Sequence, residues 1–140
     1  MTATPKSLLH AEAGRVLIRA LYQLRVEFQE TVDGLRDITA PVAGALLLLD
    51  ESMPMNELAR RIGCDPSYVT VIADRLEELG LANRHPWPQD RRVKQLVLTE
   101  KGKKRAEELA DLAFRTSPFL KSLDENEIRA LVRILGKTVS

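Results

Sequence analysis

A short glycine turn between two amphipathic segments restricts the fold of this chain more than any other feature. Residues 55–62 and 66–79 each carry apolar side chains three or four positions apart, which is the spacing of one helix face. Gly63 stands where a helix commonly ends, because glycine adopts positive φ without steric cost. Asp65 and Pro66 then suit the N-cap and the first position of the next helix. Two helices joined by so short a turn are typical of a helix-turn-helix unit.

A predicted β-hairpin follows the second of these helices. Gly80 ends the helix, residues 81–85 are a candidate strand, and residues 93–98 are rich in β-forming side chains. Residues 86–90 contain two prolines, which have no backbone N–H, so we predict that this segment is not a regular strand. The hairpin should therefore have a stiff, basic tip.

Helices are predicted on both sides of this unit. Residues 7–31 form one long helix whose apolar stripe is wider than a surface helix needs, which indicates either a broad core face or a second partner. Residues 40–49 are apolar nearly all round and should form a buried helix. Thr99 is a candidate N-cap of a further helix, and Asp124 with Glu127 resembles the capping box of a last helix.

Charge is distributed unevenly, although the net charge of the chain is only +1. Residues 54–105 hold 11 Lys or Arg and 7 Asp or Glu, a balance of +4, whereas the rest of the chain has a balance of −3. A basic centre between acidic flanks indicates that this region meets a polyanion.

Several classes of protein are made improbable by the composition. The single cysteine, Cys64, cannot form an internal disulfide framework, and neither a signal-peptide pattern nor an apolar run of the roughly 20 residues that span a membrane is visible. His10 and His85 stand far apart without a metal-binding pattern, and neither a phosphate loop nor a Ser-His-Asp set emerges. We therefore expect a cytoplasmic protein that is not an enzyme and has no metal, cofactor or membrane partner.

The outward face of the second helix carries candidate contact residues. Short hydroxyl side chains near its N-terminus suit close approach to phosphates or base edges, and a valine can contact a thymine methyl group. The alternative is an ordinary solvated helix face, but the adjacent hairpin favours the major groove of DNA. The residues on this face are Ser67, Tyr68, Thr70, Val71, Asp74 and Arg75.

Asp90, Arg91 and Arg92 lie at the predicted hairpin tip. An arginine there can enter the minor groove, where narrow A·T-rich stretches have enhanced negative potential, and a nearby aspartate can hold its guanidinium in one pose. The alternative is a solvent-exposed charged turn, which the spacing from the preceding helix disfavours. Trp87 is expected to pack on the hairpin base rather than to lie along the sugar backbone.

A series of short motifs spans about residues 35–110. They are Asn56 to Gly63, Pro66 to Thr70, Asp74 to Leu81, Arg84, Asp90 to Arg92 and Leu96 to Gly102. Together these motifs resemble the MarR family of winged helix-turn-helix transcriptional regulators, whereas each motif alone is unspecific.

This resemblance implies a mainly α fold with a small β-hairpin wing. It divides the chain into a winged helix-turn-helix DNA-binding domain at residues 35–99 and a helical dimerisation region at residues 1–34 and 100–140. It also implies an obligate homodimer, with an interface built by the first, fifth and sixth predicted helices, on a pseudo-palindromic double-stranded DNA operator. We expect a repressor.

The resemblance assigns roles to the candidate residues. Arg92 would enter the minor groove with Asp90 orienting it, and Arg84 and Arg91 are further cations of the hairpin. The residues expected to face the major groove are Ser67, Tyr68, Thr70 and Val71. Regulators of this type commonly bind a small aromatic or anionic effector between the dimer region and the winged helix. Candidate wall residues, for each of which ordinary core packing is favoured, are Tyr22, Val26, Phe28 and Val42.

The chain departs from the family pattern in places. Val71 stands where a polar or basic residue is common, so base readout here should depend more on contacts with methyl groups. Pro54 replaces the usual hydroxyl cap of its helix, and the prolines on either side of Trp87 leave the reach of the wing open. Cys64 lies in the turn before the recognition helix, where we expect packing rather than a redox switch.

An alternative function remains open from the residues. A winged helix can serve as a protein-interaction or dimerisation module that does not bind DNA. Such a module does not need Arg84, Arg91, Arg92 and Lys94 gathered on one hairpin. The charge pattern therefore favours DNA binding.

Overall fold

The computed structural model describes residues 4–139 and contains seven helices and three strands within that range. The predicted fold class, mainly helical with a small β wing, is confirmed. The elements in chain order are α1 (Pro5–Asp33), α2 (Ala40–Leu48), β1 (Ser52–Pro54), α3 (Met55–Ile62), α4 (Pro66–Glu78), β2 (Ala82–Trp87), β3 (Asp90–Leu98), α5 (Glu100–Phe114), α6 (Pro118–Lys121) and α7 (Glu125–Gly136).

The chain divides into two compact units. The winged unit runs from Val32 to Leu112, and the helical unit consists of the described residues up to Thr31 and from Ala113 onward. The assignment of a DNA-binding domain to residues 35–99 and of dimerisation to 1–34 and 100–140 stays a prediction. Residues 1–3 and 140 of that predicted region lie outside the described part of the chain.

The core of the winged unit is formed by side chains from α2, α3, α4 and the sheet. Burial of large aliphatic side chains is the main driving force for such packing. The helix over residues 40–48 is mainly buried, as its apolar composition predicts. The large aliphatic side chains of these elements with at most 2% exposure are Leu46, Leu58, Val69, Ile72, Leu76 and Leu96.

The turn between α3 and α4 has the predicted geometry. Gly63 adopts φ of 74°, and its N–H donates to the Ala59 carbonyl at 2.9 Å. Asp65 occupies the N-cap position of α4, but its side chain makes no capping hydrogen bond. Its backbone carbonyl instead accepts from Tyr68 N–H at 3.0 Å. The helix-turn-helix unit is thus defined by backbone conformation at Gly63 and by Pro66 at the start of α4.

The three strands form an antiparallel sheet in the order β1–β3–β2. In this sheet Leu96 lies opposite Met53 on one side and Arg84 on the other. The strand β1 was not predicted, because three residues are too few to show an alternating pattern. It is defined by its pairing with β3, a partner more than 40 positions away in sequence.

The prediction that residues 86–90 are not strand is wrong for part of that segment. The strand β2 continues through Pro86 to Trp87, which pairs with Asp90 across an irregularity in the register. Since β2 is an edge strand, a proline can stand in it without removing a ladder hydrogen bond. The hairpin tip is therefore reduced to Pro88 and Gln89.

The start of α5 is fastened to the end of α4. The Thr99 hydroxyl donates to the Gly80 carbonyl at 2.6 Å and accepts from Gly102 N–H at 3.0 Å, so the predicted cap at Thr99 is confirmed. A Cβ atom placed on Gly102 would lie 1.9 Å from the Leu81 carbonyl oxygen. This close approach of two backbones requires glycine.

In the helical unit, hydrogen bonds to Glu27 of α1 and a local capping box organise the connection from α5 to α7. The Glu27 carboxylate accepts from the buried Ser117 hydroxyl and from Phe119 N–H, the latter at 3.1 Å, at the start of the short α6. The predicted capping box is confirmed, since Glu127 N–H donates to Asp124 at 2.9 Å and Asp124 N–H to Glu127 at 2.8 Å.

The wide apolar stripe of α1 is mostly not a core face. Of its aromatic side chains, Phe28 stacks on Phe114 with ring centroids 6.1 Å apart. Large apolar side chains of α1 that stay between 43% and 63% exposed are Leu8, Leu9, Val16, Leu17, Ile18, Leu21, Tyr22 and Val26. The interpretation of the stripe as a broad intrachain core face is therefore wrong for Leu8, Leu9, Val16, Leu17 and Leu21. The core packing favoured for Tyr22 and Val26 is wrong as well.

No helix within residues 4–139 has both the length and the apolar character needed to cross a bilayer.

Candidate nucleic-acid interface

The helix α4 separates a buried face from an exposed one. Val69, Ile72 and Leu76 are buried against the core, and Ala73 is fully covered. The opposite face is open to solvent, as the 3.6-residue period requires. It carries all six predicted α4 contact residues, which are Ser67, Tyr68, Thr70, Val71, Asp74 and Arg75.

The N-terminal turn of α4 combines backbone and hydroxyl groups. Pro66 occupies the first turn, and the Asp65 carboxylate makes no cap to the amides there. The Thr70 hydroxyl donates to the Pro66 carbonyl at 3.2 Å, so its oxygen is left to accept hydrogen bonds from outside. Uncapped amides at a helix N-terminus favour an anion such as a phosphate oxygen.

Arg84 of β2 is held against α4 by two carboxylates. Its guanidinium contacts Asp74 and also Glu77, the latter at 3.0 Å, and donates to the Thr70 carbonyl at 3.2 Å. The backbone N–H of Arg84 donates to the Glu77 carboxylate at 2.9 Å, and the Arg84 side chain is only 24% exposed. The hydrogen bond with Asp74, the largest cause, and the attraction of Glu77 raise the pKa of Arg84. Arg84 therefore connects the base of the wing to the recognition helix.

Arg75 also has partners within the winged unit. Its guanidinium pairs with Glu78 at 3.1 Å and donates to the Asp37 carbonyl at 3.3 Å. The Asp37 carboxylate in turn accepts from Arg105 of α5 at 3.0 Å. The segment between α1 and α2 is thereby fastened to both α4 and α5.

The start of β3 presents a preoriented arginine. Arg92 Nε and Nη2 donate to the two Asp90 carboxylate oxygens at 3.1 and 3.2 Å, and Arg92 N–H donates to the same carboxylate at 3.1 Å. The hydrogen bond from the Arg92 side chain lowers the pKa of Asp90, so the carboxylate stays charged at neutral pH. The Arg92 side chain is nevertheless 92% exposed, and Arg91 beside it is exposed as well. Such a pair presents a charged fork in a defined pose.

A cluster on α3 was missed by the sequence reasoning. The Glu57 carboxylate accepts from Arg60 and from Arg61, the latter at 2.9 Å. These hydrogen bonds, with that of Arg60 the largest, lower the pKa of Glu57 to about 2. The i, i+3 and i, i+4 spacings were the available signal. Glu77 pairs with Arg84 of the neighbouring strand, and no helical i, i+3 or i, i+4 spacing in the sequence indicates that pair.

The residues proposed for an effector site are in different environments. Tyr22 and Val26 are exposed, Phe28 is stacked on Phe114, and Val42 is buried. A cleft of about 350 Å³ in the winged unit is lined by Leu47, Leu49, Asp50, Glu51, Leu98, Lys103, Ala106, Glu107 and Ala110. The four proposed wall residues do not belong to it.

Two further features concern possible metal ligands and the single cysteine. Across residues 4–139, no group of three or more His, Cys, Asp or Glu side chains is arranged to hold a metal ion. Cys64 is half-buried in the turn between α3 and α4.

Comparison with known proteins agrees with this geometry. The MarR family model matches residues 45–94. The uncharacterized HTH-type transcriptional regulator YhbI of Bacillus subtilis is 30% identical over 141 residues, covering 97% of this chain and 90% of that protein. The HTH-type transcriptional repressor MdtR of the same organism is 38% identical over 87 residues, 61% of this chain and 56% of MdtR.

A solved structure extends the likeness to three dimensions. A cysteine-to-serine mutant of MarR from E. coli, complexed with operator DNA, superimposes with a TM-score of 0.62 at 25% identity. The match covers 91% of this chain and 93% of that one. With a near-full-length relative at 30% identity and a family model centred on the helix-turn-helix, the chain belongs to the MarR family of DNA-binding transcriptional regulators.

Proposed function

We propose that this protein is a cytoplasmic homodimeric repressor that binds a pseudo-palindromic DNA operator and is modulated by a small ligand. Each protomer would place α4 in the major groove and Arg92 of the wing in the adjacent minor groove. The name of the relative MdtR supports repression.

The observation that carries the proposal is the Asp90–Arg92 pair at the exposed end of the wing. Two side-chain hydrogen bonds fix the guanidinium before any ligand arrives, while 92% of the side chain remains accessible. Fixing a flexible side chain in advance reduces the entropy lost on binding. A narrow groove of negative potential would accept a guanidinium held in this way.

The exposed apolar side chains of the helical unit support a homodimer. Those of α1 are joined by Val132, Ile134 and Leu135 on α7. Exposed apolar side chains in such number are typical of an interaction surface. A two-fold dimer predicts half-sites separated by about 10 bp, one turn of the duplex.

The decisive test measures mass and DNA binding of the same preparation. Light scattering should give twice the 15.7 kDa of one chain. Selection from genomic fragments, followed by fluorescence anisotropy on the enriched duplex, should give affinity that falls steeply with salt.

The matched variants are Arg92→Ala and Arg129→Ala. Arg129 lies on α7 in the helical unit and pairs with Glu125. Loss of Arg92 should weaken binding at least tenfold, since a specific arginine contact contributes ~1–3 kcal/mol. Loss of Arg129 should leave the affinity unchanged as long as light scattering still gives the dimer mass for that variant. A monomer that binds no duplex at low salt would instead favour a protein-interaction module.

A further inference from the structure

The exposed face of α4 presents apolar side chains at its centre. Val71 is 61% exposed and is the most exposed large apolar side chain among the described residues of the winged unit. Tyr68, one helical turn earlier, is 43% exposed. Residues three apart on a helix are surface neighbours, so the two form a continuous apolar patch.

The charged groups around this patch are already engaged. Asp74 holds Arg84, and Arg75 is paired with Glu78 and with the Asp37 carbonyl. Arg75 is the only Lys, Arg, Asn or Gln of Pro66–Glu78. These are the side chains that read guanine or adenine by paired hydrogen bonds.

The side chain of Val71 is also suited to contact a methyl group of a base. A valine in a helix has one strongly preferred χ1 rotamer, so its two methyl groups are presented in a nearly fixed position. In the major groove, the 5-methyl group of thymine is the one apolar feature that distinguishes a base pair. A rigid apolar side chain at the centre of the helix face fits that methyl group better than any hydrogen-bonding edge.

We propose that Val71 is a specificity-determining residue that reads the 5-methyl group of one thymine in each operator half-site, with Tyr68 covering the contact on one side. This inference rests on the proposed DNA binding and adds the base that α4 selects.

Deoxyuridine substitution tests the inference directly. Deoxyuridine keeps the hydrogen-bonding edge of thymidine and removes only the 5-methyl group. The enriched duplex is synthesised with each thymine of one half-site replaced in turn, then with both half-sites changed together, and the dissociation constant is measured by anisotropy. For the wild-type protein, one position per half-site should weaken binding about four-fold, and the symmetric double change about 15-fold.

Two variants assign the effect to Val71. Val71→Ala should bind the thymine and deoxyuridine duplexes equally, whereas Val71→Ile should retain the preference for thymine. Thermal unfolding by circular dichroism should match the wild type for both, since the side chain is exposed.

The outcomes separate the two proposals. Tight binding that ignores every deoxyuridine, or a preference for thymine that persists in Val71→Ala, overturns the reading by Val71 and leaves DNA binding intact. A wild-type protein that binds no duplex overturns both.

Discussion

Among single residues, Arg84 has a position in sequence that suggests one role and partners that suggest another. It was predicted to contact DNA, as one of several cations on the hairpin. In the structure its guanidinium faces Asp74 and Glu77 of α4. The two other charged residues of α4 are Arg75 and Glu78, and they pair with each other. Without Arg84, the helix that should meet a polyanion would carry two uncompensated carboxylates.

This arrangement makes Arg84→Ala informative about DNA binding. We expect affinity to fall at least tenfold at low salt and the loss to shrink as salt screens the exposed carboxylates. The triple variant Arg84→Ala, Asp74→Asn, Glu77→Gln should recover most of the affinity. Titrations by anisotropy at several salt concentrations measure both. An equal loss in the triple variant would mean that Arg84 contacts DNA itself.

Glu57 provides a pH dependence with a defined sign. Its pKa in the folded protein is about 2, below the ordinary value of 4.5. A depressed pKa in the folded state contributes stability that is fully present above pH 4.5 and is lost as the pH falls towards 2. The contribution is modest because Arg60 and Arg61 are solvent-exposed partners.

The corresponding variant is Glu57→Gln. We expect the difference in the free energy of unfolding between wild type and variant to be constant above about pH 5 and to shrink between pH 4.5 and 2. Urea titrations at several pH values measure this difference. A difference that grows on acidification would contradict the assignment of Arg60 and Arg61 as the partners that lower the pKa of Glu57.

At the scale of the elements, the junction of α4, β2 and α5 depends on a glycine, because it leaves no room for a side chain. Gly102 lies against the Leu81 carbonyl so closely that a Cβ atom would stand 1.9 Å from the oxygen. The Thr99 hydroxyl bonds both sides of the same junction. Movement of α5 would therefore break its own N-terminal cap.

Gly102→Ala should destabilise the protein by about 3 kcal/mol, because backbone must shift to relieve the clash. Gly44→Ala in α2 is the matched control, since nothing lies within 4 Å of the added methyl group. It should stabilise the helix by about 0.5–1 kcal/mol. Chemical denaturation of both variants checks the prediction, and equal stabilities would refute the close approach.

At the scale of the whole molecule, the main feature is the set of apolar side chains of the helical unit that a single chain leaves exposed. In the helical unit, Leu17 and Leu21 of α1 and Val132 of α7 are 43%, 59% and 69% exposed. Exposed aliphatic side chains on so many successive turns would promote aggregation of a monomer. In the proposed homodimer, a second copy of the chain would cover them.

The double variant Leu17→Glu, Leu21→Glu should convert the proposed dimer into a monomer and abolish operator binding, because charges are costly in an apolar interface. Val71→Glu, which adds a charge at another exposed apolar site, on α4, should remain dimeric while losing DNA binding. Light scattering and anisotropy on both variants separate assembly from recognition. A dimer that survives the double change would place the interface elsewhere.

The sequence by itself determined the features whose causes lie within a few residues of one another. The left-handed turn at Gly63, the capping box at Asp124 and the buried stripe of α4 were predictable, since steric freedom, short hydrogen bonds and helical period are local properties. The Asp90–Arg92 pair belongs to the same class, because its members are two positions apart.

Only the tertiary structure decided the features whose causes are distant in sequence. The strand β1 exists because β3 pairs with it, and Pro86 stands in a strand because β2 lies at the sheet edge. Arg84 meets α4 because the hairpin folds back on that helix, and the α1 stripe stays exposed because no other segment of the described chain covers it. Pairing and burial depend on which segments meet in space, and a pattern of neighbouring residues does not contain that information.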